Sequence, residues 1–209
     1  MNARRRAFGQ VVILAALALM AAYATVTAAG FAALRAPGEP IPDPYFTVME
    51  ALILALAPVL ILVMVVVHAW AAPARKRFAF AAIVFMAITA ALTSIVHVAV
   101  LTLSRAPAFA AYARWLEFRW PSPVYALDIL AWDVFFALSV GCAAFVFDGG
   151  GAAAWVRRLF VVSSVLSAAG LLGVVLSDMM VRNIGIVGYA IVFPAGVACF
   201  AWVLRRQDV

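Results

Sequence analysis

The chain has 209 residues, of which 68% are hydrophobic and only 11% are charged. Soluble domains are about 45–50% apolar and about 25% charged, so this composition excludes an ordinary soluble domain and predicts a polytopic membrane protein. The net charge of +6 comes mainly from short basic flanks beside apolar runs, a pattern that determines topology in a membrane rather than binding to nucleic acid.

Six apolar runs are long enough for transmembrane helices, which need about 20 residues each. The first follows a basic stretch, Arg4 to Arg6. Ala22-Tyr23-Ala24 is a possible signal-peptide cleavage site, but the apolar run continues past it, so we expect an uncleaved helix. The predicted helices of this single domain, residues 1–209, cover about residues 10–34, 46–71, 78–104, 124–147, 154–180 and 184–204.

The alanines of the first predicted helix have the small-xxx-small spacing that suits close packing of helices. We therefore predict that this helix docks a second copy of the chain or a partner membrane subunit. Cys142 and Cys199 lie inside apolar runs, and their number and spacing indicate neither a disulfide framework nor a metal motif. We interpret them as small buried hydrophobic residues, and we expect no metal or other cofactor.

Two of the predicted connections are long. Residues 35–45 contain four prolines and a glycine, which cannot sustain a helix: Pro37, Gly38, Pro40, Pro42 and Pro44. Residues 105–122 mix aromatic residues with arginines, which predicts a short helix lying in the membrane interface. The predicted fold is therefore an all-α bundle of six transmembrane helices, with a short interfacial helix between helices three and four.

Basic residues are distributed unevenly between the two sides of this bundle. The side of the two chain termini carries ten of them, and the opposite side carries five. The positive-inside rule therefore places both termini in the cytoplasm of a bacterial-type inner membrane, with the two long connections outside.

The fourth apolar run contains two carboxylates, Asp128 and Asp133. An ionisable residue at the centre of a membrane helix costs about 2.5–3.5 kcal/mol, and such residues usually face a bundle interior or a cavity. At about 1.5 Å of rise per residue, several other polar residues fall in the same outer half of the membrane: Glu50, His97, Asp178, Arg182, Asn183 and Tyr189. We therefore expect a polar pocket that opens outward and has an apolar floor.

The two aspartates are five residues apart, which separates them by about 140° around an α-helix. We therefore predict that they point to different partners. Asp133 lies deeper and is the predicted working acid, whereas Asp128 positions the substrate or pairs with His97 or Arg182. Trp132, four residues after Asp128, is predicted to form a wall of the pocket.

Some of these residues also have plain structural interpretations. Asp178 and Arg182 are four apart and would form a local ion pair on one helical turn. Glu50 would interact favourably with the N-terminus of its helix. His97 would be a hydrogen-bonded core histidine, and we interpret His68, near the cytoplasmic surface, as structural.

An apolar pocket favours the neutral form of a carboxylic acid, which suits general acid catalysis on a lipid-soluble substrate. Nearby aromatic rings would stabilise a carbocation through cation–π contacts. The predicted catalytic residues are Asp133, Asp128, Glu50 and Asp178. The predicted substrate contacts are His97, Trp132, Arg182, Asn183, Tyr189, Tyr125 and Phe136.

In broad outline this arrangement is similar to the small integral-membrane terpene cyclases, which use a glutamate on an early helix and an aspartate on a late one. The resemblance implies those roles for Glu50 and Asp178. Two other functions stay open on sequence alone. Six helices with an outward pocket also resemble the substrate-capture subunits of vitamin importers of the energy-coupling-factor type, and the polar residues could instead pair with helices of a larger complex in a structural subunit.

Overall fold

The computed structural model describes residues 3–36 and 39–206, so Pro37 and Gly38 of the first long connection lie outside the described residues. All the regular structure within these ranges is helical. Six helices are long and apolar enough to cross a membrane, which confirms the predicted number. We number them one to six in chain order: Arg4–Ala32, Tyr45–Trp70, Pro73–Arg105, Pro123–Ala144, Gly151–Val175 and Met179–Arg206.

The boundary between helices five and six differs from the prediction. Helix five ends at Val175 and helix six begins at Met179, several residues earlier than expected. Ser177 adopts a left-handed conformation, with φ of 53°, which a right-handed helix cannot continue. Asp178 then caps helix six by accepting a 2.8 Å hydrogen bond from the Met180 backbone N–H. Arg182 consequently lies inside helix six and not in a turn before it.

Helices four and six both contain a π-helical segment. Leu130–Phe136 interrupts helix four, and Gly188–Val192 interrupts helix six. Hydrogen bonds in a π-helix run from residue i to i+5, so its turns are wider than those of an α-helix. The Thr89 hydroxyl of helix three donates to the carbonyl oxygen of Ala131 at 3.3 Å, so a neighbouring helix satisfies a carbonyl group of the first π segment.

An aromatic core fills the end of the bundle where helix four ends and helix five begins. Five phenylalanines there are almost completely buried: Phe136, Phe147, Phe160, Phe193 and Phe200. Successive rings are 5.0–5.7 Å apart between centroids, mostly edge to face. Such pairs add about 0.5–1.5 kcal/mol each beyond the burial of apolar area.

Glycines bring helices five and six together. A methyl group on Gly188 would lie 2.7 Å from the Ser167 nitrogen, and one on Gly173 would lie 2.7 Å from the Arg182 nitrogen. No side chain fits at such distances. Small residues allow close approach between helices in the same way within membranes.

Helix three ends in a 3₁₀ turn, Leu103–Arg105. The second long connection follows it and holds another 3₁₀ turn, Pro107–Tyr112, and one four-residue α-helix, Ala113–Leu116. It is thus less continuous than the predicted short helix, and its place in a membrane interface stays a prediction. It is tied to the first connection because Arg105 donates hydrogen bonds to Thr47 and Asp43. The Thr47 hydroxyl also donates to Asp43 at 2.5 Å, which is the main reason that the pKa of the exposed Asp43 lies below its usual value.

Candidate functional site: a buried ionic cluster

Five ionisable side chains from four helices meet in one buried cluster. We call it the ionic cluster, and it consists of Glu50, His97, Asp128, Asp133 and Arg182. The exposed fraction of these residues is between 0% for Asp133 and 5% for Asp128. Three carboxylates face one arginine and one histidine, so each charge needs a partner to offset the loss of water.

Arg182 is the centre of the cluster. Its Nη2 donates to Asp128 Oδ2 at 3.1 Å, and its Nε donates to Asp133 Oδ2 at 3.2 Å. Its Nη1 donates to the hydroxyl oxygen of Tyr125 at 2.9 Å, and the guanidinium carbon lies 4.8 Å from the centre of the Tyr125 ring. A planar guanidinium group with several donors is suited to holding two carboxylates at once.

His97 connects Arg182 and its partners to helix two. The distance from His97 Nδ1 to Glu50 Oε2 is 2.6 Å. On the other side of the ring, His97 Nε2 lies 3.8 Å from Asp128 Oδ1 and has no hydrogen-bond partner. Because a carboxylate accepts at Nδ1, the neutral ring carries its proton there and leaves Nε2 free as a base.

Asp133 lies in a cradle of glycine residues. A methyl group on Gly170 would lie 2.9 Å from Asp133 Oδ2, and one on Gly185 would lie 3.1 Å from Oδ1. The carboxyl group therefore packs directly against the backbones of helices five and six. Its Oδ1 atom is buried and has no hydrogen-bond partner.

The prediction that Asp128 and Asp133 point to different partners is wrong, since both bind Arg182. The 140° separation assumed a regular α-helix, but Asp133 lies in the π segment Leu130–Phe136. The wider turn brings residues five apart towards one face of the helix. The expected local ion pair between Asp178 and Arg182 is not formed either, because Arg182 binds residues of helix four.

An aromatic layer lies beside the cluster. The ring of Tyr189 is 5.0 Å from that of Trp132 and 6.1 Å from that of Phe136. Tyr189 interacts electrostatically with Arg182, Asp128 and Asp133. These rings form an apolar boundary on one side of the ionic cluster.

Tyr23 and Phe118 contact the cluster but were absent from the predicted site. Tyr23 of helix one interacts electrostatically with Asp128 and Glu50. Phe118, from the second long connection, covers the cluster, with its ring 5.6 Å from His97 and 5.2 Å from Tyr125. The neighbours of Phe118 along the chain, Glu117 and Arg119, are exposed. The alternation of apolar and charged residues from Leu116 to Trp120 is the signal in the sequence that could have marked Phe118 as facing inward.

Two predicted site residues lie away from both the cluster and the aromatic rings beside it. Asp178 is exposed and caps helix six. Asn183 is exposed, and its amide nitrogen lies 3.8 Å from the sulfur of Met180. The structure therefore does not bring Asp178 to the place that the resemblance to terpene cyclases implied. The aspartate that faces His97, the partner of Glu50, is Asp128.

The structure has two cavities that are lined by other residues than those of the ionic cluster. One has about 460 Å³ and is lined by Ala33, Arg35, Glu39, Pro40, Pro42, Asp43 and Tyr45. The other is an apolar groove of about 220 Å³ lined by Trp120, Ala126, Ile129, Leu130, Val134, Leu171 and Val174. The five residues of the ionic cluster are at most 5% exposed, so the cluster is closed to solvent and the open outward pocket that we predicted is not formed there.

Within residues 3–36 and 39–206, no group of three or more His, Cys, Asp or Glu side chains is placed to hold a metal ion. Cys142 and Cys199 are both free thiols. Comparisons with protein-family models, curated proteins and solved structures give no significant match to this chain.

Proposed function

We propose that this chain is an integral protein of a bacterial-type inner membrane, with both termini in the cytoplasm, and that its ionic cluster performs acid–base chemistry on a hydrophobic, isoprenoid-like or lipid substrate. Six helices of sufficient length and apolarity support the membrane location. The five buried ionisable residues support the chemistry, because such residues within membrane helices commonly mark proton relays and substrate sites.

The observation that carries the proposal is the pairing of His97 with Glu50. The Glu50 carboxylate orients the imidazole ring through Nδ1 and leaves the buried Nε2 atom without a partner. A histidine oriented in this way is a general base, since Nε2 takes a proton and the nearby carboxylates stabilise the imidazolium ion. Asp128 Oδ1, at 3.8 Å from Nε2, faces the same position.

The surroundings favour a lipid-soluble substrate. Trp132, Phe136 and Tyr189 border the cluster with aromatic rings, and Arg182 already binds Asp128, Asp133 and Tyr125. A substrate there would make apolar and cation–π contacts rather than bring in a charged headgroup. Phe118 excludes water from the His97 side of the cluster, which strengthens electrostatic interactions inside it.

The test compares lipid extracts and molecules retained by the purified protein, both analysed by mass spectrometry. We expect a hydrophobic product in extracts of cells that make the wild-type protein. His97→Asn should abolish this product while its precursor stays bound, and Glu50→Gln should reduce it. His68→Asn is the matched control, because His68 lies at the far end of helix two and is absent from the ionic cluster.

Other results would redirect the proposal. A retained water-soluble molecule, lost in His97→Asn, would overturn the enzyme in favour of a capture subunit of a transporter. A structural role is the second candidate, because the ion pairs join helices two to three, three to four and four to six. Lipid extracts with the same composition in wild-type and His97→Asn cells, together with loss of a co-purifying subunit in the His97→Asn and Glu50→Gln variants, would support that role instead.

A further inference from the structure

We propose that the ionic cluster is a proton-binding site and that the bound proton resides on Oδ1 of Asp133. This inference deepens the proposed function, on which its catalytic meaning rests, but the presence of the proton does not depend on turnover. The proton comes from water, and the only bond that forms is the O–H bond at Oδ1.

The charges around Arg182 do not balance. Asp128 and Asp133 both bind Arg182, and its single positive charge cannot neutralise two carboxylates. One of the two aspartates is therefore in excess, and an uncompensated charge buried in a bundle is costly enough that such a group usually becomes neutral.

The contacts of the carboxyl oxygens identify Asp133, and not Asp128, as the neutral group. Asp133 is completely buried, and its Oδ1 atom has no hydrogen-bond partner. Both oxygens of Asp128, in contrast, face positive or polar groups, with Oδ2 bound to Arg182 and Oδ1 facing His97. An ionised carboxylate is an acceptor that needs donors, whereas a protonated one is itself a donor.

A backbone carbonyl of helix five lies beside Oδ1. A methyl group on Gly185 would be 3.1 Å from Asp133 Oδ1 and 3.2 Å from the carbonyl oxygen of Ser167, so both oxygens lie against the same point of helix six. A carbonyl oxygen accepts hydrogen bonds and cannot donate one. It therefore suits the O–H group of a protonated Asp133 and gives no stabilisation to its anion.

The charged and titratable groups around Asp133 come from several helices. Arg182 and Tyr189 face it from helix six, and Asp128 precedes it on helix four. His97 and Tyr23 each interact with Asp128 and Glu50 and close the cluster on the side of helices one to three. Arg182 is therefore the positive group that Asp133 shares with Asp128, and its contact with Asp133 is to Oδ2, which leaves Oδ1 without a partner.

Infrared spectroscopy of the purified protein in lipid nanodiscs tests this proposal without a substrate. The protein is labelled with ¹³C at the aspartate carboxyl carbon, and the carbonyl stretch of a protonated carboxylic acid is recorded at about pH 7, where exposed aspartates are ionised. We expect one such band that shifts with the label. Asp133→Asn, a neutral replacement of similar shape, should remove it. Glu50→Gln is the control and should retain it, because that change removes the partner of His97 and not the excess carboxylate.

A wild-type spectrum without a labelled carboxylic acid band would overturn the proposal, as would a band that persists in Asp133→Asn. If the latter variant does not fold, the wild-type spectrum with and without the label still tests the proposal, because the absence of a labelled band overturns it. A missing band in a protein that forms its His97-dependent product would refute the bound proton alone. A labelled band with no product in any extract would refute the proposed function alone.

Discussion

The two ends of this bundle share helices four and six but are held together by different interactions. At one end, helices two, three, four and six contribute charged groups that are joined by directional hydrogen bonds to Arg182 and His97. At the other end, helices four, five and six contribute phenylalanine rings in contact with one another. Helix four supplies Asp128 and Asp133 to the first end and Phe136 to the second.

The two ends therefore contribute to stability and function in different ways. Aromatic packing contributes through many small, non-directional contacts, and truncating a ring loses those contacts and leaves a cavity. In the ionic cluster, removing one partner leaves another charge buried and unpaired. We therefore expect changes at either end to lower stability, but only changes at the ionic end to disturb the geometry on which function depends. The five predictions that follow test this division, from the largest expected effect to the smallest.

Arg182→Met should have the largest effect. It leaves two buried carboxylates without their common partner, and breaking a buried pair in this way costs roughly 3–5 kcal/mol. Thermal unfolding in detergent should show a large fall in melting temperature. Arg119→Met is the control, since its 4.0 Å ion pair with Glu117 is exposed and worth about 0–1 kcal/mol. Equal melting temperatures for the two variants would show that the cluster contributes little.

Phe160→Ala should destabilise the aromatic end by about 3–5 kcal/mol through lost contacts and a cavity. In contrast to Arg182→Met, it should leave the ionic cluster intact, because the Phe160 ring contacts Phe147 and Phe193. The formation of the His97-dependent product, measured at a temperature where the variant is folded, should stay near the wild-type level. A loss of product in the folded variant would contradict the division between the two ends.

Gly185→Ala should cost about 1–3 kcal/mol, because the added methyl group would meet Asp133 and the backbone of Gly170. The variant should unfold at a lower temperature than the wild-type protein. Gly150→Ala is the matched control, since a methyl group there meets nothing within 4 Å and surface changes usually stay within about 0.5 kcal/mol. If both glycines tolerate alanine equally, the close approach of helix six to Asp133 is not required.

Phe118→Ala should expose His97 without unfolding the chain, because it removes the ring that covers the imidazole. Diethylpyrocarbonate labelling followed by peptide mass spectrometry would measure this, with the partly exposed His68 as an internal reference. Phe109→Ala, on the same connection, is the control, because the Phe109 ring contacts Tyr112 and not the cluster. His97 that stays unmodified in Phe118→Ala would show that another group excludes solvent.

The smallest effect should come from Asp43. Because its pKa is lowered in the folded protein, its contribution to stability is present above its unfolded pKa of about 3.9 and is lost as the pH falls below that value. Asp43→Asn should therefore unfold at a slightly lower temperature than the wild-type protein at neutral pH, and the difference should disappear in acid. A difference that grows in acid would contradict this assignment.

The sequence was sufficient to predict the six long helices, since apolar runs of about 20 residues have few alternative structures. It also grouped Glu50, His97, Asp128, Asp133 and Arg182 at one end, since the depth of a residue follows from its position in a run. These five residues do meet in the structure.

The contacts within the group were not predictable in the same way. A π segment depends on tertiary packing, such as the bond from Thr89 to the Ala131 carbonyl, and composition does not reveal it. The positive φ of Ser177 moved the start of helix six and carried Arg182 into the cluster. Tyr23 was missed because helix one is rich in alanine and has no polar pattern that would show which of its sides faces the bundle.

The π segment of helix four has a consequence for how this chain tolerates changes in length. A ring closed between i and i+5 holds one more residue than a ring closed between i and i+4, so the segment takes up one extra residue within a single wider turn. Deleting one residue between Asp128 and Asp133 would restore a continuous α-helix in which the two aspartates are four residues apart, about 40° around the helix axis. Asp133 would therefore stay on the side of Arg182, and Phe136 on the side of the aromatic core. The same deletion in a regular α-helical part of helix four would rotate every later side chain by about 100°.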